Sequence, residues 1–114
     1  MDIQLGAPGQ IIPPVDRGIS LGIKMEELGY DALWWPDHLM GWHPDTMWNE
    51  EFTPLAKHQP SSHVHVDPFA MMAAIGAQTE RIRVGTCVTA LLRRHPASLA
   101  QTMIPLAHMT KGRA

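Results

Sequence analysis

Apolar and polar positions along the chain alternate between two periods, short runs suited to strands and longer stripes suited to helices. Asp2 to Ala7 is a short strand candidate ending at Pro8-Gly9, and Pro13-Pro14 restarts the chain. Asp16 to Leu28 fits a helix: Val15, Ile19 and Ile23 lie four apart, and Leu21, Met25 and Leu28 add a second apolar row. Gly29 is a good stop for it. Ala32-Leu33-Trp34-Trp35 is a compact apolar run suited to a strand buried on both faces, and Pro36, which cannot donate to a sheet ladder, should end it.

From Gly41 to Val66 neither period survives, and Trp42, Trp48 and Phe52 are scattered among prolines, histidines and acidic residues. A structureless stretch beyond about 12–15 residues is uncommon in a compact domain and is usually a lid or a binding loop. Its tryptophans argue for a loop that packs on something. Asp67-Pro68 then opens a helix whose stripe is Phe69, Met72, Ala73 and Gly76. Glu80 to Thr89 reads as a third strand, and His95-Pro96 opens a third helix with Leu99, Met103 and Leu106 on one face. Pro105 falls inside that helix and should remove one hydrogen bond and kink it, at a cost of about 3 kcal/mol. Lys111-Gly112 is a stop, with Arg113-Ala114 placed to begin a fourth strand. The pattern predicts parallel strands near 2–7, 32–36 and 82–88 and helices near 14–28, 68–79 and 96–109.

The fold class expected is therefore α/β, but three such units cannot close a (β/α)8 barrel, which takes about 250 residues. The chain looks cut, and two unpaired sheet edges with an uncovered inner face should make it aggregate or stay partly unfolded alone. No repeat or linker marks a second domain.

Composition narrows the function classes. The 114 residues are 45% hydrophobic with a formal net charge of -2, so no basic face points to nucleic acid or an anionic membrane. A single Cys excludes an internal disulfide, the first residues lack the signature of a signal peptide, and no apolar run approaches the about 18 residues of a membrane span. The cytosol is the default compartment.

Chemistry concentrates at strand ends. Asp37 and His38 directly follow the second strand, where parallel α/β folds place their ligands. An imidazole titrates near neutrality and suits proton transfer, although a histidine bonded in a polar core is the plainer reading of the residue alone. Asp37 reads equally as a loop-initiating residue bonded to nearby N–H groups. Trp42 is a lid anchor over the pocket, and Trp34 and Trp35 are assigned to the core. His58, His63 and His65 would supply three nitrogens, but without a Cys or carboxylate motif they read as solvated side chains, and no metal is expected. Cys87 reads as a small buried thiol. Arg93-Arg94 reads either as a solvated pair or as a partner for phosphate or substrate anions.

The runs Gly29-Tyr30-Asp31-Ala32-Leu33-Trp34-Trp35-Pro36-Asp37-His38, Asp67-Pro68, Thr79 to Val88, Arg94-His95-Pro96-Ala97 and Lys111-Gly112-Arg113-Ala114 together resemble the amino-terminal part of the bacterial luciferase-like monooxygenase superfamily. Asp37-His38 with Trp42, and Gly85 to Val88 followed by Arg93 to Pro96, look most like its branch that uses the deazaflavin coenzyme F420. The resemblance implies a TIM barrel, with residues 1–114 as the amino-terminal portion of one domain holding its first three β/α units. It implies hydride transfer between the deazaflavin and a carbonyl or alcohol substrate. His38 would be the catalytic acid/base, Trp42 would line the substrate site, and Asp37, Cys87, Val88 and Thr89 would bind cofactor. A non-prolyl cis peptide is implied at Cys87-Val88, and a homodimer for the full-length parent. The family's catalytic glutamate and most phosphate-tail contacts fall after the fourth strand. Two other readings stand: an FMN-dependent monooxygenase of the same superfamily, and a truncated, non-catalytic binding module.

Overall fold

The computed structural model describes residues 3–114, so the strand start expected at Asp2 lies outside the described residues. Three strands, β1 (Gly6–Pro8), β2 (Ala32–Trp35) and β3 (Arg83–Thr86), form one parallel sheet in the order β1-β2-β3. Three helices, α1 (Val15–Glu27), α2 (Pro68–Gly76) and α3 (Pro96–Met109), follow them in the chain. The expected alternation and the parallel pairing are both present, with Ala32 to Trp34 opposite Gly6 to Pro8, and Ala32 to Trp35 opposite Arg83 to Thr86.

The first strand begins later than its apolar pattern predicts. Ahead of Gly6, Leu5 is held by Asp31: its N–H donates to Asp31 Oδ2 at 2.7 Å and its carbonyl accepts from Asp31 N at 2.8 Å. Pro36 ends β2 at Trp35 as expected, α2 stops at Gly76, and β3 is shorter at both ends than predicted. Pro105 is accommodated within α3, which runs unbroken from Pro96 to Met109. At the chain's end Val84 N donates to the Arg113 carbonyl at 2.9 Å, so Arg113 lies alongside β3, though residues 113–114 form no strand.

Packing is one-sided. Leu33 and Trp35 of β2 and Val84 of β3 join Phe69, Met72, Ile75, Ile82 and Leu106 in the core between sheet and helices. Trp34, one residue out of phase, points to the other face and is 46% exposed, which corrects its assignment to the core and the reading of β2 as buried on both faces. Its indole lies across the sheet over two glycines, where a Cβ on Gly6 would stand 2.8 Å from Nε1 and one on Gly85 2.6 Å from the ring. Side chains alternate across a pleated strand, so a run of four apolar residues does not reveal which face is covered.

On α1 the buried positions are Gly18 and Gly22. A Cβ there would meet Met71 at 2.8 Å and Ile75 at 2.6 Å, so α1 and α2 approach through the glycines, while Val15, Leu21 and Leu28 of the predicted stripe are exposed. Residues 41–66 form a folded lobe with 3-10 turns at Asp45–Met47 and Pro54–Lys57. Trp48 Nε1 donates to the Gln59 carbonyl at 2.7 Å, closing the lobe on itself, and Val66 N donates to the Ile11 carbonyl at 2.9 Å, tying it to the segment after β1. Of the tryptophans expected to pack the loop, Trp48 does so, whereas Trp42 stands 77% exposed.

Candidate active site

All the predicted site residues fall at the C-terminal end of the sheet. Past the last paired residues, Cys87 N donates to the Trp35 carbonyl at 2.8 Å and Asp37 N donates to the Val88 carbonyl at 3.1 Å. The two strand exits are thus laced together, and the Cys87–Val88 peptide between those bonds is cis, as the resemblance implied. Thr89 folds back so that its hydroxyl meets that of Thr86. Cys87 is exposed rather than buried, because beyond Thr86 the chain leaves the helix-covered face. Val88, 72% exposed, and Leu91 continue an apolar shelf from it.

Asp37 lies beneath this shelf and is 3% exposed. Arg94 grips its carboxylate in a fork, Nε to Oδ2 at 2.7 Å and Nη2 to Oδ1 at 2.8 Å, and Arg93 Nη2 bonds both the carboxylate and the Asp37 carbonyl. Ala90 N adds a bond to Oδ2 at 3.3 Å. Hydrogen bonding to Arg94 holds the Asp37 carboxyl below its ordinary range, aided by the Ala90 N–H and the two guanidinium charges against the opposing effect of burial. Arg94 also bonds Asp67 Oδ2 at 2.6 Å and stacks 4.5 Å above the centre of the Phe69 ring. Asp67 Oδ1 caps α2 through Phe69 N and Ala70 N. A continuous ionic chain therefore joins the exit of β2, the segment after β3 and the start of α2. Periodicity carries no trace of this chain; an isolated Asp on one strand exit and an Arg pair on the next was its one signal.

His38, next to Asp37, is exposed and reaches a cavity of about 450 Å³ between the segment after β1 and the lobe. Trp42 and His43 stack 3.9 Å apart on its rim, and His65 faces His38 edge-on at 6.4 Å between ring centres. Burial lowers the His65 pKa, and the positive charge of His38, His63 and His43 adds to the effect, against a contact with the Ser62 backbone that works the other way. Ser62 Oγ and His65 Nδ1 are enclosed without a hydrogen-bond partner. The sequence singled out His65 only as one of three candidate metal-binding nitrogens, and Ser62 not at all, since a loop serine carries no pattern. His63 is spent on the lobe, with Nε2 2.9 Å from Asp45 Oδ1 and Nδ1 3.2 Å from the Gly41 carbonyl. Among the described residues no group of three His, Cys, Asp or Glu side chains is placed to hold a metal ion.

The chain is similar to several characterised proteins. It is 35% identical over 86 residues to a phthiodiolone/phenolphthiodiolone dimycocerosates ketoreductase of Mycobacterium sp. (strain JLS), covering 74% of this chain and 23% of that one. It is 32% identical over 96 residues to an F420-dependent glucose-6-phosphate dehydrogenase of Microbacterium testaceum (strain StLB037), covering 83% and 24%. Among solved structures it superposes on an F420-dependent secondary alcohol dehydrogenase in complex with an F420-acetone adduct, with a TM-score of 0.69, 27% identity, and 99% of this chain against 30% of that one. A monooxygenase from Streptomyces bottropensis shares the fold at a TM-score of 0.67 and 18% identity. The chain thus spans 23% and 24% of the length of those two curated relatives. With the luciferase-like monooxygenase family matching residues 2–114, and the parallel β/α units and strand-exit site in place, the chain belongs to that family.

Proposed function

We propose that this chain forms part of a deazaflavin-dependent oxidoreductase that moves a hydride between coenzyme F420 and a carbonyl or alcohol substrate. The observation that carries the reading is the placement of His38 at a half-open, mostly apolar cavity, directly after Asp37, whose N–H bonds the Val88 carbonyl of the shelf. The relatives named F420-dependent support the cofactor class.

The residues fit a flat heterocycle. Cys87 and Val88 present exposed apolar surface at the sheet's end, and the bonds from Cys87 N to the Trp35 carbonyl and from Asp37 N to the Val88 carbonyl hold that surface in place. A bound deazaflavin would supply a two-electron hydride acceptor or donor. Thr89 belongs to the same bed, and Asp37 serves it by fixing the segment from Val88 to Arg94. His38 takes the proton from the substrate hydroxyl in oxidation and returns it to the carbonyl oxygen in reduction. Trp42 closes over the substrate and excludes water.

In the full-length protein, His38→Ala should lower turnover by about 10²–10⁴-fold with little change in cofactor affinity, the usual weight of a general acid/base. Titration with F420 and with FMN, followed by anaerobic turnover, tests the reading. Tight FMN binding with oxygen-dependent product and no F420 binding would move the assignment to a monooxygenase.

A further inference from the structure

The side chains of Arg93 and Arg94 turn inward, onto the end of β2. The Ala90 carbonyl accepts from Arg93 N at 3.0 Å and from Arg94 N at 3.2 Å, a turn that brings both side chains back to Asp37. Arg94 forks the Asp37 carboxylate with Nε and Nη2, its Nη2 reaches on to Asp67 Oδ2, and its guanidinium lies over the ring of Phe69, a member of the core. Arg93 Nη2 takes a further atom: besides the carboxylate it donates to the Asp37 carbonyl at 2.9 Å.

That carbonyl belongs to the peptide bond from which His38 hangs. On the other side of the same residue Asp37 N donates to the Val88 carbonyl, and two residues earlier the Trp35 carbonyl accepts from Cys87 N. The backbone leading to His38 is thus tied to the shelf on one side and to the arginine clamp on the other, with Pro36, whose ring restricts its φ to about −65°, inside the tied stretch. The His38 ring itself is exposed, so its place against the shelf follows from the backbone that carries it. Replacing a buried ion pair by packed apolar side chains is often neutral or stabilising, so stability alone is a weak account of a carboxylate buried here.

We infer that Arg93 and Arg94 are positioning residues, which hold the Asp37–His38 peptide, and with it the His38 ring, in a fixed place against the Cys87–Val88 shelf. This rests on the hydride-transfer reading and adds the side chains that aim its proton-handling group. Arginine is needed for two reasons. A fork on a carboxylate takes two N–H donors in one plane, and the stack on Phe69 takes a flat cation; the ammonium of a lysine supplies neither. A displacement of about 1 Å at a reacting group costs up to about 10²-fold in rate even when every reacting group is present.

The test uses the full-length protein with Arg94→Lys, which keeps the charge and loses the fork, and Arg93→Met, which loses the bond to the Asp37 carbonyl and leaves Asp37 paired with Arg94. Should Arg94→Lys fail to fold, Arg93→Met decides. In protein without cofactor, proton-carbon NMR of the histidine rings, with the His38 signal identified by its loss in His38→Ala, should show that signal displaced in each variant while that of His108, in the last turn of α3, stays in place. On whichever of 2-propanol and glucose 6-phosphate the wild type oxidises with F420, kcat should fall about 10–100-fold with KM within about twofold. A His38 signal in its wild-type place in the folded variants would overturn the inference, as would a wild-type kcat with only KM raised. A wild type that takes no F420 while the His38 signal still moves would instead overturn the hydride-transfer reading and leave the hold on His38 standing, so the two failures are told apart.

Discussion

At the scale of single residues, Asp37 and His38 are neighbours in the chain with opposite fates. His38 keeps an open ring at the cavity, while Asp37 is buried and its carboxylate is filled by two arginines and a backbone N–H. Removing one partner of a buried pair leaves an uncompensated charge and costs roughly 3–5 kcal/mol. For Asp37→Asn a loss near the lower end, about 3 kcal/mol, is expected, because the side chains of Arg93 and Arg94 retain 31% and 20% exposure. Since the folded-state pKa of Asp37 is lowered, its contribution is complete above the unfolded value of about 3.9 and is lost as the pH falls through and below it toward the folded value. Urea midpoints of wild type and variant should therefore differ at pH 7 and converge in acid, and a constant difference across that range would contradict the assignment. Alkylation of exposed Cys87 should also change rate in the variant, since the clamp sets the shelf on which it sits. The Asp-His pair at the strand exit was legible in the sequence. What Asp37 touches was not, because its partners lie 53 to 57 residues away and only the fold brings them near.

At the scale of elements, the order of strands and helices was readable because each apolar run has a clear period and a Pro or Gly at its end. The seam between α1 and α2 was not, because it is made where side chains are missing: Gly18 and Gly22 let Met71 and Ile75 rest against the α1 backbone. Of the stripe that apolar periodicity pointed to, Ile19 and Met25 pack against the core, but Val15, Leu21 and Leu28 are exposed. Gly22→Val should force Ile75, which is 0% exposed, out of its place and destabilise the protein by about 1–3 kcal/mol, the range for overpacking. A stability equal to wild type in urea would show that the helices can separate freely. The other end of α1 is fixed by Glu26, whose carboxylate accepts from Glu80 N, Arg81 N and Ile82 N, the last at 2.7 Å. Partial burial acts to raise its pKa, but these three donors and the Arg81 charge win and hold it low. Glu26→Ala should cost about 2–3 kcal/mol, the weight of hydrogen bonds to a charged group, and should raise hydrogen exchange at the three amides. Exchange unchanged there would mean that water replaces the carboxylate without loss.

At the scale of the whole molecule, the covered and uncovered faces of the sheet divide the chain's behaviour. The helix side holds a closed core, whereas on the other side Trp34 lies 46% exposed across the sheet and Val88, Leu91 and Leu92 stand 72%, 68% and 107% exposed beyond its end. The radius of gyration, 15.0 Å, exceeds the about 13 Å expected of a compact chain of this length, in keeping with a layer covered on one side only. Contiguous apolar surface of this kind and the short unpaired edge of β1 favour association with another copy or another polypeptide. The 114-residue chain is therefore expected to self-associate with increasing concentration while keeping its helices, since α1, α2 and α3 do not depend on the exposed face for their core contacts. Sedimentation velocity across a concentration series, read beside far-ultraviolet circular dichroism, checks this. A monomer at every concentration with a single cooperative thermal transition would show that the open face of the sheet is stable in water and that exposed Trp34 does not drive association. Replacing Leu91 and Leu92 by Ser should shift the distribution toward monomer without changing helix content, because neither side chain belongs to the core.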